Sequence, residues 1–298
     1  QTKLRVKKMT VINTNTAATI TANALTKNER AMSQAMERLS TGQRINNAGD
    51  DAAGLAISSR MTSQINGLNM AVRNANDAIS MIQTVDGAAI EITNMLQRMR
   101  ELAVQAASGT MSSTDVTALD TEFLQLRAQI NDIADDTTWN GVAVMSGGSA
   151  VGDYGKFSFQ VGANASQTID VNFGDWNTNA SATSQAFSAG SAANDSLGRD
   201  ISAYTSSSTS VISNLDLTIA DVNTARATYG AVINRLEYAV DNLSNTSQNV
   251  SASRSRVLDT DYAAETTELA RTQIIQQAAT AMLSQANQQA QSVLALLK

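Results

Sequence analysis

Between Met61 and Ala106 apolar or small side chains fall at Met61, Ile65, Leu68, Val72, Ala75, Ile79, Ile82, Ala89, Ile92, Leu96, Met99, Ala103 and Ala106, with one polar interruption at Asp86. Alternating steps of three and four keep a narrow stripe on one side of a helix, the condition for coiled-coil packing. At about 1.5 Å per residue such a helix runs on the order of 70 Å, so it needs partners of similar length. Val116, Leu119, Phe123, Leu126, Ile130 and Ile133 repeat the rhythm after an interruption at Ser108-Gly109-Thr110. Any of Ser112, Ser113, Thr114 and Asp115 can cap this second helix, and the short connector sets it antiparallel to the first.

Two further stretches carry heptads. From about Val211 onward Val222, Tyr229, Leu236, Leu243, Val250 and Val257 form one row, and Ala225, Val232, Ala239, Thr246 and Ser253 the other. Toward the start of the chain Val11, Ala18, Leu25, Met32 and Leu39 are spaced by sevens, with Ala22 and Met36 in the companion row. At the far end Ile275, Ala279, Met282, Ala286, Val293 and Leu297 make a last stripe. The two terminal stripes are weakly hydrophobic, so each helix would be marginal alone.

The period changes after Thr137. Trp139-Asn140-Gly141 precedes Val142 to Met145, and Phe157 to Val161 and Thr168 to Phe173 alternate around Gly162, Ala163 and Asn164. These segments predict short antiparallel strands in a hairpin or two. Residues 176–210 are rich in Ser, Thr, Ala and Asn, which predicts a surface-exposed module or loop; its hydroxyls are open to O-linked modification or stay unmodified. The expected fold is mainly α, a long antiparallel bundle in which the chain goes out and returns, with small β-hairpins and a short outer module. Strong helices lie inward and marginal ones at both ends, so the termini pair and leave apolar surface that self-assembly would bury.

Composition narrows the chemistry. Pro, Cys and His are absent and aromatics are 4% of the chain. Without Pro long helices run uninterrupted; without Cys and His there is neither disulfide nor thiol or imidazole metal site, and the usual general base is missing. A zinc-protease motif needs two His on one helix face and is excluded. No cofactor is expected. Asp50-Asp51 and Asp135-Asp136 are read as turn or cap residues, because neighbouring acids on a helix point apart. The glycines of Ser40 to Gly54 mark a structured connector; with no GKS or GKT they are not a nucleotide loop.

The net charge is −6, and removing Lys3, Arg5, Lys7 and Lys8 takes the remainder to −10, a poor match to nucleic acid or an anionic membrane. Residues 1–8 are read as an added leader outside the fold, the other reading being a functional basic arm. No apolar run approaches the ~18 residues of a membrane span, and no apolar leader follows Met9.

Two long motifs carry a resemblance. NALTKNERAMSQAMERLSTGQRINNAGDDAAGLAISSRM, from Asn23 to Met61, resembles the amino-terminal signature of bacterial flagellin, and the segment from Ser253 to Lys298 is similar to its carboxy-terminal signature. LQRMRELAVQ, from Leu96 to Gln105, resembles the same family. The resemblance implies an extracellular filament subunit for motility, exported by the flagellar type III route without a cleaved signal and assembled under a cap. It implies residues 9–45 with 258–298 as an inner core domain, 46–175 with 211–257 as an outer core domain, and 176–210 as the variable, solvent-facing part. Implied partners are other copies of the chain, cap and junction proteins, an export chaperone, and the Toll-like flagellin receptor of hosts. The receptor-recognition positions carried over are Arg98, Leu102, Gln105 and Glu122, with Leu102 expected to face outward because it lies off the Met99, Ala103, Ala106 seam. Self-assembly is expected through Val11, Ala18, Leu25, Met32, Leu39, Ile275, Ala279, Met282, Ala286, Val293 and Leu297. Rival readings are a hook–filament junction protein and a filament with an added adhesive role.

Overall fold

The computed structural model describes residues 15–146, 155–176 and 208–295; the side chains of 208–210 and 289–295 and that of Ala17 are outside the description, as are residues 1–8, Val11 and Leu297. Five helices occur among the described residues: α1 (Thr16–Thr41), α2 (Ala52–Ala106), α3 (Ser113–Asp136), α4 (Ser208–Leu258) and α5 (Tyr262–Ala295). Four short strands, β1 (Thr138–Trp139), β2 (Val142–Ala143), β3 (Lys156–Gln160) and β4 (Thr168–Asn172), form two antiparallel hairpins. The chain divides into two compact units, one holding residues 1–63 and 250–298 and the other 64–249, so that α2 and α4 contribute to both. The limits expected from the sequence, 45/46 and 257/258, fall in the connector before α2 and at the end of α4, whereas α2 and α4 run without a break through 63/64 and 249/250.

In the central unit the three-four rhythm of α2 is a packed seam. Leu68, Ala71, Ala75, Ala78, Ile82, Val85, Ala89, Ile92, Leu96, Met99 and Ala103 are all buried. Asp86 therefore does not interrupt the stripe: Val85 holds the seam position and Asp86 stands beside it, accepting a 2.8 Å hydrogen bond from Arg226 Nε. Ala71 and Ala78 likewise displace Val72 and Ile79 to half-buried flanks. Small residues win these positions because they let the facing helices close up. Ser247 to Asn69, Arg226 to Asp86 and Arg100 to Asp216 step up α2 while stepping down α4, which fixes the two as antiparallel. The row Val222, Tyr229, Leu236 and Leu243 is buried as its heptad spacing predicts. α3 begins at Ser112, whose hydroxyl accepts from Asp115 N while Asp115 accepts from Ser112 N, a reciprocal cap. It adds Phe123, Ile130 and Ala134 to the core.

The turn of the first hairpin is the Asn140-Gly141 pair, both with positive φ (49° and 77°), the conformation a two-residue hairpin loop requires. The second hairpin lays Ile169, Val171 and Phe173 into the core. Trp176 follows and is fully buried; its Nε1 donates to Phe173 O at 2.7 Å, and Tyr229 Oη donates to the same carbonyl at 3.1 Å. Burial raises the Tyr229 hydroxyl well above its ordinary pKa, so it remains a donor. Trp176 thus corrects the expected start of the exposed region at 176: a large ring with a satisfied N–H belongs to the core, whatever the polarity of the residues after it. Residues 177–207 of that region lie outside the described residues.

In the terminal unit α1 and α5 pack closely, antiparallel along their length. Asn15 Nδ2 donates to Ala286 O (3.1 Å), Asn28 Nδ2 to Thr272 O (2.7 Å), and Arg38 lies 3.7 Å from Glu265. At the foot of the pair, Arg44 N donates to Leu258 O and Thr260 N to Gly42 O, while Arg44 Nη2 reaches Val257 O. Gly42, at φ 70°, ends α1 in the left-handed conformation and returns its N–H to Arg38 O. The connector that follows is held by Asp50, whose carboxylate accepts from Asn46 N, Asn47 N and Gln34, while Asp51 caps α2 through Gly54 N. Both acids do the turn and cap work expected of them.

Candidate assembly and recognition surfaces

The seam between α1 and α5 has small and polar side chains at its buried positions and larger apolar ones among its half-buried positions. Asn28, Ala35 and Thr272 are its buried members, and Ala18, Thr21, Leu25, Met32, Leu39, Ala279, Leu283 and Ala286 are half-buried. The companion row is thus Thr21, Asn28 and Ala35, and the expected Ala22 and Met36 are exposed. The buried positions take an alanine, or an asparagine that donates to the facing carbonyl, while Leu25, Met32, Leu39 and Leu283 lie half-buried beside them.

The same selection splits the carboxy-terminal stripe. Ala279 and Ala286 face the seam, whereas Ile275 and Met282 are exposed, Met282 by 60%. Ile20, Met36 and Ile274, at 53–68% exposure, join them. Ile20 and Ile274 were absent from the assembly positions read from the sequence; their signal was size without a place in the small-residue row. Large apolar groups left in water on both helices of a pair are what an interaction surface looks like. Val11, Val293 and Leu297 fall outside the described side chains.

On α2 and α3, the structure brings Arg98 and Glu122 together. Arg98 Nε donates to Glu122 at 2.9 Å and Nη1 to Glu101 at 3.0 Å, and all three are exposed. The hydrogen bonds to Glu122 and Glu101 raise the guanidinium pKa, although at this exposure the pair contributes little to stability. Gln105 is exposed as well. Leu102 is not: it is 1% exposed and part of the core. The outward orientation expected for it is wrong because α2 is covered by more than one neighbour, which widens its buried stripe beyond two positions per heptad. Arg98, Gln105 and Glu122 are therefore the accessible members of the set.

Among the described residues no group of three or more acidic side chains could hold a metal ion, and no helix is long and apolar enough to cross a membrane.

Residues 12–150 match the model of the bacterial flagellin N-terminal helical region, and residues 212–297 that of the bacterial flagellin C-terminal helical region. The chain is 41% identical to a flagellin of Bacillus subtilis, over 96% of this chain and 99% of that one. It is 43% identical to a flagellin of Halalkalibacterium halodurans, over 89% and 91%. The structure of a putative flagellar hook-associated protein from Vibrio parahaemolyticus shares the fold, with a TM-score of 0.58 at 14% identity over 70% of this chain and all of that one. With both helical regions matched and two relatives aligned over nearly their whole length, the chain belongs to the bacterial flagellins: it is a structural protein and not an enzyme, a self-associating subunit of the extracellular flagellar filament that serves motility.

Proposed function

We propose that the subunit polymerises through the terminal pair, with Ile20, Met36, Ile274, Ile275 and Met282 buried against other copies. The supporting observation is that Asn28, Ala35 and Thr272 fill the buried seam while these five large apolar side chains face water. In this reading α1 and α5, within residues 9–45 and 258–298, form the inner core of the filament. Residues 46–175 and 211–257 form the outer core, and 177–210 the variable exterior. Ile274→Ser with Met282→Ser tests it. These exposed positions contribute little to folding, so the thermal melt of the variant stays at the wild-type temperature while electron microscopy shows no filaments. Filaments of normal length from that variant would overturn the proposal. The same experiment on the wild-type chain separates the subunit from a hook–filament junction protein, which would not polymerise into long filaments.

We infer a second role for Arg98, Gln105 and Glu122 as the surface taken by the Toll-like flagellin receptor. The Arg98–Glu122 ion pair supports it, since it presents charged groups from two helices as one feature. Arg98→Ala and Glu122→Ala weaken binding of the monomer to receptor ectodomain in a titration; unchanged affinity in both would remove this role. Cap and junction proteins, an export chaperone, and export without a cleaved signal complete the proposed setting, and an adhesive role of the exterior would add to it.

A further inference from the structure

The helix-interior glycines of the long helices divide into two kinds. A Cβ on Gly54 would run into Ile45 and Asp51, and one on Gly67 would press on Ala163, so each of these glycines has a neighbour that needs the space. Gly87 on α2 and Gly230 on α4 have nothing within 4 Å. Both are exposed, and neither makes a turn or has a positive φ. Glycine is the least favourable helix-interior residue after proline, which this chain lacks, so these are the softest points in two helices of 55 and 51 residues.

They stand at one level of the bundle. Asp86, next to Gly87, is bonded to Arg226, one turn before Gly230. Each glycine also ends a run of side chains that bond back to the carbonyl four residues earlier. On α2 these are Asn76 to Val72 O, Ser80 to Asn76 O and Thr84 to Ser80 O. On α4 they are Thr224 to Ala220 O and Thr228 to Thr224 O. Such bonds compete for carbonyls of the helical ladder and favour bending. Beneath the open side, Val85, Ala89 and Tyr229 remain buried.

We propose that Gly87 and Gly230 form a two-helix hinge, at which the bundle bends about the packed Val85, Ala89 and Tyr229 while the Asp86–Arg226 pair keeps the two helices level. A kink in one helix alone would shear the shared seam; matched soft points let both bend together.

The absence of cysteine allows spin labels at Arg73→Cys and Gln97→Cys on the full-length soluble chain. Both positions are exposed on α2, and they span the hinge at about 36 Å, at about 1.5 Å per residue. Electron–electron double resonance gives a broad distance distribution in the parent, and Gly87→Ala with Gly230→Ala narrows it. Amides flanking the two glycines exchange with solvent faster than those one heptad away, and each alanine slows them by roughly fivefold, the factor set by the Gly–Ala difference in helix propensity. Asn94→Ala, an exposed change on the same helix, raises propensity without touching the hinge and leaves the width unchanged. A parent distribution already narrow, or equal narrowing by Asn94→Ala, would overturn the hinge. So would failure of the double alanine variant to fold, since open space at both glycines requires that alanine be accepted.

Discussion

The terminal pair and the central bundle obey the same three-four rhythm and reach opposite outcomes. In the bundle the seam carries Ile82, Ile92, Leu96, Met99 and Leu102 on α2, Phe123 on α3 and Tyr229 on α4, with Phe173 and Trp176 closing one side. Phe173 sits 5.5 Å from Phe157 and 5.6 Å from Tyr229, ring centre to ring centre, in edge and tilted arrangements that add to area burial. In the terminal pair the buried seam residues are Ala35, Asn28 and Thr272; Leu25, Met32, Leu39 and Leu283 are only half-buried, and Ile20, Met36, Ile274, Ile275 and Met282 are exposed. Periodicity decides that a helix has a partner. The size of the residues on the stripe decides how much of its hydrophobic energy that partner can use, and a pair closed through alanine and asparagine keeps the rest for other molecules.

The largest test removes a core ring from the bundle. Phe123→Ala should destabilise it by about 3–5 kcal/mol, read as a lower midpoint in urea, since the ring is fully buried and its loss opens a cavity in the core. Leu102→Ala sharpens the contrast. As a core residue it should lose about 2–5 kcal/mol, against about 0.5 or less for a surface leucine, and its thermal melt separates the two. In the terminal pair the sign of the size argument reverses: Ala35→Leu overpacks the seam and should lose about 1–3 kcal/mol, seen as faster hydrogen exchange in α1. The smallest effects belong to the exposed polar ties. Hydrogen bonds from Asn47 and Asn46 N–H hold the Asp50 carboxyl below its ordinary 3.8. A lowered folded pKa means that its contribution is complete above that value and fades as the pH falls through the folded one. Asp50→Asn should remove this acid dependence of the connector, followed by the chemical shifts of Asn46 and Asn47 amides between neutral pH and pH below 3.8.

The bonded Asp50 and the buried Trp176 show why some features were legible and others were not. Asp50 sits in a run of Asn, Gly and Asp whose local hydrogen bonding is nearly independent of the rest of the chain, and the same holds for the Asn140-Gly141 turn and the Ser112 cap. Trp176 borders a polar stretch, and only the hairpin that precedes it and the α4 face that receives it bring it inside. Leu102 and Met36 failed in opposite directions for one reason. A one-dimensional stripe does not say how many neighbours a helix has or how near they come, so a residue one step off the stripe can be core on α2 and open on α1.

By itself the sequence determined the helices, their antiparallel return, the two hairpins and the family, because each is written in spacing, in turn residues or in long ordered motifs. Tertiary structure alone decided that Val85 and not Asp86 lies in the seam, that Leu102 is core, and that Ile20, Met36, Ile274, Ile275 and Met282 on the terminal pair face water. Those outcomes depend on interhelical distance. That distance is set by the volumes of side chains far apart in sequence, and no local pattern carries it.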